Sequence, residues 1–151
     1  MSALLAQDAH WPIFTKDNIE RSLEKSGVSA DLRPSAAYEI LLNAASLNLK
    51  NSTSVIVDAV FGTKSIQDQL TSLAVKHKAI LFVVHCFCSN QKIWQQRIES
   101  RPEIVDGWTP ADWTEVQRVE KYYEPWGGTV LKLDAVNSVE KNFQLLKEFL
   151  I

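Results

Sequence analysis

Apolar residues along the chain change their period several times, and each change marks an element. The short apolar run at 11–14 gives way at Thr15, a residue placed to cap a helix reaching about Ser26, just before Gly27. Pro34 opens a longer helical pattern, with Tyr38, Leu41, Leu42, Ala45 and Leu49 at i, i+3, i+4 spacing. Residues 54–58 form a β-branched run ending in Asp58, and a helix predicted over 64–77 carries Ile66, Leu70, Leu73 and Ala74 on one face. The longest apolar run, 79–87, reads as a central strand. A helix capped by Ser89 runs to about Arg101, where Pro102 stops it. After a loop over 102–108, Thr109-Pro110 has the signature of a helix start, with the helix reaching about Tyr123. Gly127-Gly128 punctuates the chain before a strand at 129–133. The final helix, 138–150, turns Val139, Phe143, Leu146 and Phe149 inward. Strands alternating with helices mean βαβ units, so the pattern predicts an α/β fold: three layers, α/β/α, around a mostly parallel sheet.

Composition narrows the class without changing it. With 151 residues, 46% hydrophobic and 23% charged, the chain suits one soluble globular domain over 1–151. Sixteen Lys and Arg against eighteen Asp and Glu leave a net charge of -2, which argues against nucleic acid as a partner. No apolar run approaches the roughly 18–20 residues of a membrane span, and residues 1–8 lack the basic start of a signal peptide. Two cysteines form no disulfide framework. The expectation is a reduced, cytoplasmic protein that stays off membranes.

Chemistry in a parallel sheet gathers beyond the strands' carboxyl ends. Asp17, Asp58 and Asp134 all stand at such ends. An apolar strand closed by Asp is the arrangement that holds Mg²⁺ in phosphoryl-transfer enzymes, and it also often only caps a turn. Asp17 sits where a helix dipole favours a carboxylate in any case, and Arg21 lies one turn on, placed to pair with it. Arg97 and Arg101 share a helix face, suited either to an anion or to nearby Glu99 and Glu103. Cys86 and Cys88 lack further ligands at zinc spacing and read as free thiols. His77 and His85 have no evident serine or cysteine partner. The aromatics Trp108, Trp113, Tyr122, Tyr123 and Trp126 read as the seal of a lid helix rather than a base-stacking surface.

The order of these segments resembles the small P-loop kinases of the zeta-toxin and chloramphenicol-phosphotransferase-like group of AAA-type proteins. Ile13-Phe14-Thr15-Lys16-Asp17-Asn18-Ile19 resembles the segment after that family's second strand. Val55-Ile56-Val57-Asp58-Ala59-Val60-Phe61 resembles its Walker B strand, and residues 84–89 with Trp94, Arg97 and Arg101 resemble its fourth strand and the helix leading to the lid. The resemblance implies ATP-dependent phosphoryl transfer to a small hydroxylated molecule, with Mg²⁺ and ATP as cofactors. In that frame Asp17 is the base, Asp58 holds Mg²⁺ through water, and Arg97 and Arg101 are arginines of a lid spanning about 97–126. Lys16, Arg21 and Arg33 help to hold an anionic substrate.

One departure is decisive for the expectation. No pair of glycines fits G-x-x-x-x-G-K-[ST], the loop whose N–H groups and lysine cradle phosphate. Phe61-Gly62-Thr63-Lys64-Ser65 is a decoy in which Thr63 or Ser65 caps the next helix. Residues 2–7 resemble the helix that follows the loop, so the chain reads as N-terminally truncated, starting after the loop's lysine and hydroxyl. The chain as it stands is therefore expected to bind ATP weakly. The alternative function is a catalytically inactive remnant serving as a binding or oligomerisation module. By the family's strand order the truncation removes a central strand, between residues 55–57 and 81–84. The slot would be about 9.6 Å wide, twice the strand spacing. It is expected to close by direct pairing, the other outcome being a homodimer in which a second copy fills it.

Overall fold

The computed structural model describes residues 1–101 and 109–151. Along the chain run α1 (Ser2–Ala9), β1 (Ile13–Thr15), α2 (Lys16–Lys25), α3 (Arg33–Lys50), β2 (Ile56–Asp58), α4 (Lys64–Lys76), β3 (Val83–Phe87), α5 (Gln91–Glu99), α6 (Trp113–Tyr122), β4 (Val130–Asp134) and α7 (Val139–Phe149). This is a mixed α/β fold with short parallel strands. Where the sequence reads one domain, the contacts divide the chain into two compact units, residues 1–61 with 65–81, and 62–64 with 82–151. The loop expected over 102–108, Trp108 included, lies outside the described residues.

In the first unit β1 pairs with β2 in parallel, Ile13 opposite Ile56 and Thr15 opposite Asp58. The crossover between them is α2 and α3, and α3 supplies the centre of the core. Ala37, Leu41 and Ala45 recur every four residues on one stripe and are all but fully buried. Ile66, Leu70 and Ala74 do the same along α4. Phe61 takes a left-handed backbone, φ 46°, an uncommon place for a bulky side chain. Its N–H donates to the Tyr38 hydroxyl at 3.3 Å, and its carbonyl accepts from Nε2 of the buried Gln67 at 3.1 Å. Those bonds, with a ring contact to Tyr38, hold the turn out of β2.

In the second unit β3 pairs with β4 in parallel, Val83 opposite Val130 and Phe87 opposite Asp134. Leu133 and Leu146 are its fully buried anchors, with Ile98 beside them in burial. Asn142 of α7 is also buried, and its side-chain N–H donates to the Asp134 carbonyl at 2.8 Å. Every buried polar group needs such a partner.

Several expectations change here. The run 79–87 is a strand only over 83–87, and Ile80 is 82% exposed. A strand extends only as far as its ladder partner, and β4 is cut short by Gly128, whose φ of +77° turns the chain away before Val130. The expected direct pairing of β2 with β3 is not formed among the described residues: β2 pairs with β1, and β3 with β4. In each ladder a two-helix crossover brings the strands side by side. The helix expected from Pro110 begins instead at Trp113, because Asp112 is the residue whose carboxylate accepts the Glu115 N–H, at 2.8 Å. Asn90, not Ser89, caps α5 through its contact with the Ile93 N–H at 3.1 Å. The Lys64 N–H, the first of α4, donates to the distant Glu124 carboxylate at 2.5 Å. Val139, expected inward, is 53% exposed.

Candidate functional site

Parallel pairing puts the carboxyl ends of β1 and β2 at the same end of their sheet. Asp58 is the last residue of β2, is exposed, and faces Thr15 in register. Two residues beyond Thr15, Asp17 sits in the first turn of α2, where the helix dipole favours its charge. The topology thus brings these two predicted carboxylates to one sheet end.

A third residue joins them that the sequence reading missed. The Ser2 hydroxyl, in the first turn of α1, donates to the Asp58 carboxylate. The signal was present: residues 2–7 were read as a helix, and its leading residue is a serine. What the sequence did not show is that a bond across 56 positions joins it to the strand-end aspartate.

The Ser2 hydroxyl and the Asp58 carboxylate are hard oxygen groups side by side at the start of α1. Mg²⁺ prefers that chemistry, using one or two protein oxygens and completing its shell with water and phosphate. Among the described residues no group of three His, Cys, Asp or Glu side chains could hold a metal. The donor set at Asp58 therefore fits Mg²⁺ shared with a phosphate, not an all-protein metal cage.

Two of the basic residues predicted to hold an anion, Lys16 and Arg33, have found carboxylates. Lys16 pairs with Glu20 within α2 at 2.6 Å and lies over the Tyr38 ring of α3, 5.1 Å from its centroid. Arg33 reaches from the start of α3 to Glu24 of α2, also at 2.6 Å. Arg21 lies half-buried on α2. The Arg33 pair and the Lys16 ring contact tie α2 to α3.

Arg97 and Arg101 belong to the second unit, at the end of α5 and just beyond it. Arg97 donates Nη1 to the Ala135 carbonyl at 2.7 Å, bracing the exit of β4. At that exit Asp134 accepts the Ser89 N–H at 3.1 Å and the Val136 N–H at 3.0 Å. The Ser89 side chain, followed by these amides, holds its carboxyl below the usual carboxylate range. Trp113 of the predicted lid packs edge-on against Trp94, ring centroids 5.4 Å apart. Tyr123 lies against His85 at 5.1 Å, and burial raises the Tyr123 hydroxyl's pKa. Burial, aided by Lys132, lowers that of His85. Arg118 instead forks onto Glu115, at 2.7 and 2.6 Å.

Cys86 and Cys88 are not joined in a disulfide, and Cys86 is exposed. His77, expected to lack a serine partner, has one: its Nε2 is 2.8 Å from the Ser46 hydroxyl. No described helix is long and apolar enough to cross a membrane.

No protein-family profile matches the chain, and no curated protein is significantly similar to it in sequence. The fold does have a counterpart. The crystal structure of a suspected kinase from Chloroflexus aurantiacus superimposes with a TM-score of 0.73 at 17% identity, covering 99% of this chain and 86% of that one. At that identity the likeness is one of fold, and it embraces both units.

Proposed function

We propose that the chain is the body of a P-loop kinase-like phosphotransferase, built to act on a small hydroxylated molecule. The observation that carries this reading is the Ser2–Asp58 hydrogen bond at the start of α1. A hydroxyl on a helix N-terminus beside a strand-end carboxylate is what a Mg²⁺-bound phosphate requires. The fold likeness to a suspected kinase supports it. In this reading Asp58 and Ser2 would hold Mg²⁺ and Asp17 would accept the acceptor's proton, while Arg97 and Arg101 keep the lid role that the resemblance implies. Lys16, Arg21 and Arg33 set the charge around the acceptor. The three-layer arrangement belongs to the same reading, as does residence in the cytoplasm.

The chain contains no glycine-rich loop with its lysine, so it binds Mg-ATP weakly as it stands. That same absence favours the second reading, a module that binds or oligomerises without catalysis. Paramagnetic broadening of amide signals by Mn-ATP distinguishes them, because it reports weak complexes. The kinase-like reading expects broadening centred on Ser2 and Asp58, lost in Asp58→Asn and reduced in Ser2→Ala. Broadening elsewhere, or none, leaves the module.

A further inference from the structure

Among the described residues β1 has a strand on one side only. Its ladder with β2 is phased by the Ile56 N–H, which donates to the Pro12 carbonyl at 2.9 Å. In a parallel ladder with Ile13 opposite Ile56, that phase turns the N–H and C=O of Phe14 towards β2 and those of Ile13 away from it. The Thr15 N–H points outward with them, while the Thr15 carbonyl, at the N-cap of α2, belongs to the helix. The outer edge of β1 thus offers a donor and an acceptor on Ile13 and a donor on Thr15.

An open groove of about 430 Å³ lies along that edge. Ile13, Phe14 and Thr15 all line it, and no residue of β2 does. Successive strand side chains point to opposite faces, so a hollow that touches three in a row and misses the neighbouring strand follows the outer main chain. Ile19 and Leu23 of α2 and Ile40 of α3 make the wall apolar, and Ile40 is 43% exposed.

An occupant has to present acceptors and a donor at strand spacing, with apolar groups beside them. The main chain of an extended peptide does this, and its alternate side chains meet the wall. Strand edges are ordinarily guarded by charge or a bulge. Residues 13–15 carry no charge, and their register with β2 is unbroken. Pro12 before the strand and α2 after it limit the open edge to three residues, enough for a short ladder. Because α2 leaves the strand at Lys16 and walls the groove, a slender segment enters where the sheet edge of a second copy, carrying its own α2, would collide. We propose that β1 and α2 form a docking groove for an extended peptide with apolar residues at alternate positions, added as a strand on the outer edge of β1. The inference rests on the ladder and the groove, and it holds under either reading of Asp58.

The test is an amide NMR titration of the full chain, without nucleotide, with the capped peptide acetyl-Thr-Val-Thr-Val-Thr-amide. Two further forms are N-methylated, one on its valines and one on its threonines. The parent peptide is expected to move the Ile13 and Thr15 amide protons downfield and slow their exchange, with a Kd of about 1 mM, while the Phe14 amide, already in the ladder, changes little. Only alternate N–H groups of an added strand face β1, so one methylated form should lose about tenfold in affinity and the other should bind like the parent. No change at Ile13 and Thr15 would overturn the proposal. Equal binding by both methylated forms would also overturn it, since it would reduce the contact to apolar adsorption. So would concentration-dependent shifts of the same amides without peptide, which would give the edge to a second copy of the chain.

Discussion

Two aspartates close parallel strands in this protein, and their surroundings differ. Asp134, in the second unit, is enclosed by donors: the backbone N–H groups of Ser89 and Val136 bond to its carboxylate, and Asn142 and Arg97 bond to the carbonyls of Asp134 and Ala135. Asp58, in the first unit, is exposed and accepts from a single side-chain hydroxyl, that of Ser2. Asp134 takes two backbone amides in addition to the Ser89 side chain, which commits its carboxylate to holding a turn, whereas Asp58, met by the Ser2 hydroxyl, keeps oxygen capacity for a cation. Both strands end in the same residue type, so position in the strand cannot tell the two roles apart. The donors that reach the carboxylate can.

The contrast is sharpest in the residue before each aspartate. Leu133 is 1% exposed, and Val57 is only half-buried. Leu133→Ala is expected to cost about 2–5 kcal/mol of unfolding free energy, and Val57→Ala about 1 kcal/mol, measured by urea unfolding. Equal losses would erase the distinction between a structural and a functional strand end. Next in size is Asn142→Leu, which removes one of two donors on the Asp134 carbonyl, the Asn137 N–H remaining at 3.0 Å. A loss of about 0.5–1.5 kcal/mol follows from the lost bond. An unchanged midpoint would mean that water replaces the amide.

The aspartates themselves give opposite readouts. Asp134→Ala should lower the melting temperature at neutral pH without touching Mn-ATP broadening, and Asp58→Ala should do the reverse. The Asp134 pKa is lowered in the fold, so its contribution is present above the ordinary carboxylate range and disappears as pH falls through its depressed value. The deficit of Asp134→Ala against the parent should therefore shrink in strong acid. A constant deficit would assign it to lost packing.

The smallest effect concerns His85, whose ring lies between Phe87 and Tyr123, with Lys132 opposite it in the ladder. Burial, then the Lys132 charge, lowers its pKa. The unfolded chain takes up a proton near the ordinary value of about 6.5 before the folded one does, so stability falls as pH drops below that value. His85→Phe should flatten this part of the pH profile in thermal melts. A slope that survives the substitution would belong to another group.

Much of the architecture is legible in the order of residues. The alternation of strand and helix, the start of α2 just after Thr15, the opening of α3 near Pro34 and the buried stripe through Leu41 and Ala45 all follow from short-range patterning. So does the presence of aspartates at strand ends. These are properties of a few neighbouring residues, and steric and solvation rules act on them directly.

What lay beyond reach depends on residues far apart in the chain. Where β3 starts is decided by Gly128 shortening its partner, and the Lys64 N–H is met by the distant Glu124. The burial of Gln67 is intelligible once the Phe61 carbonyl stands beside it. Above all, Ser2 is an unremarkable serine until the fold carries it to Asp58. A hydrogen bond between distant residues leaves no period in a sequence. Its partners are selected when the chain closes on itself, and the chemistry of the site is assembled at that step.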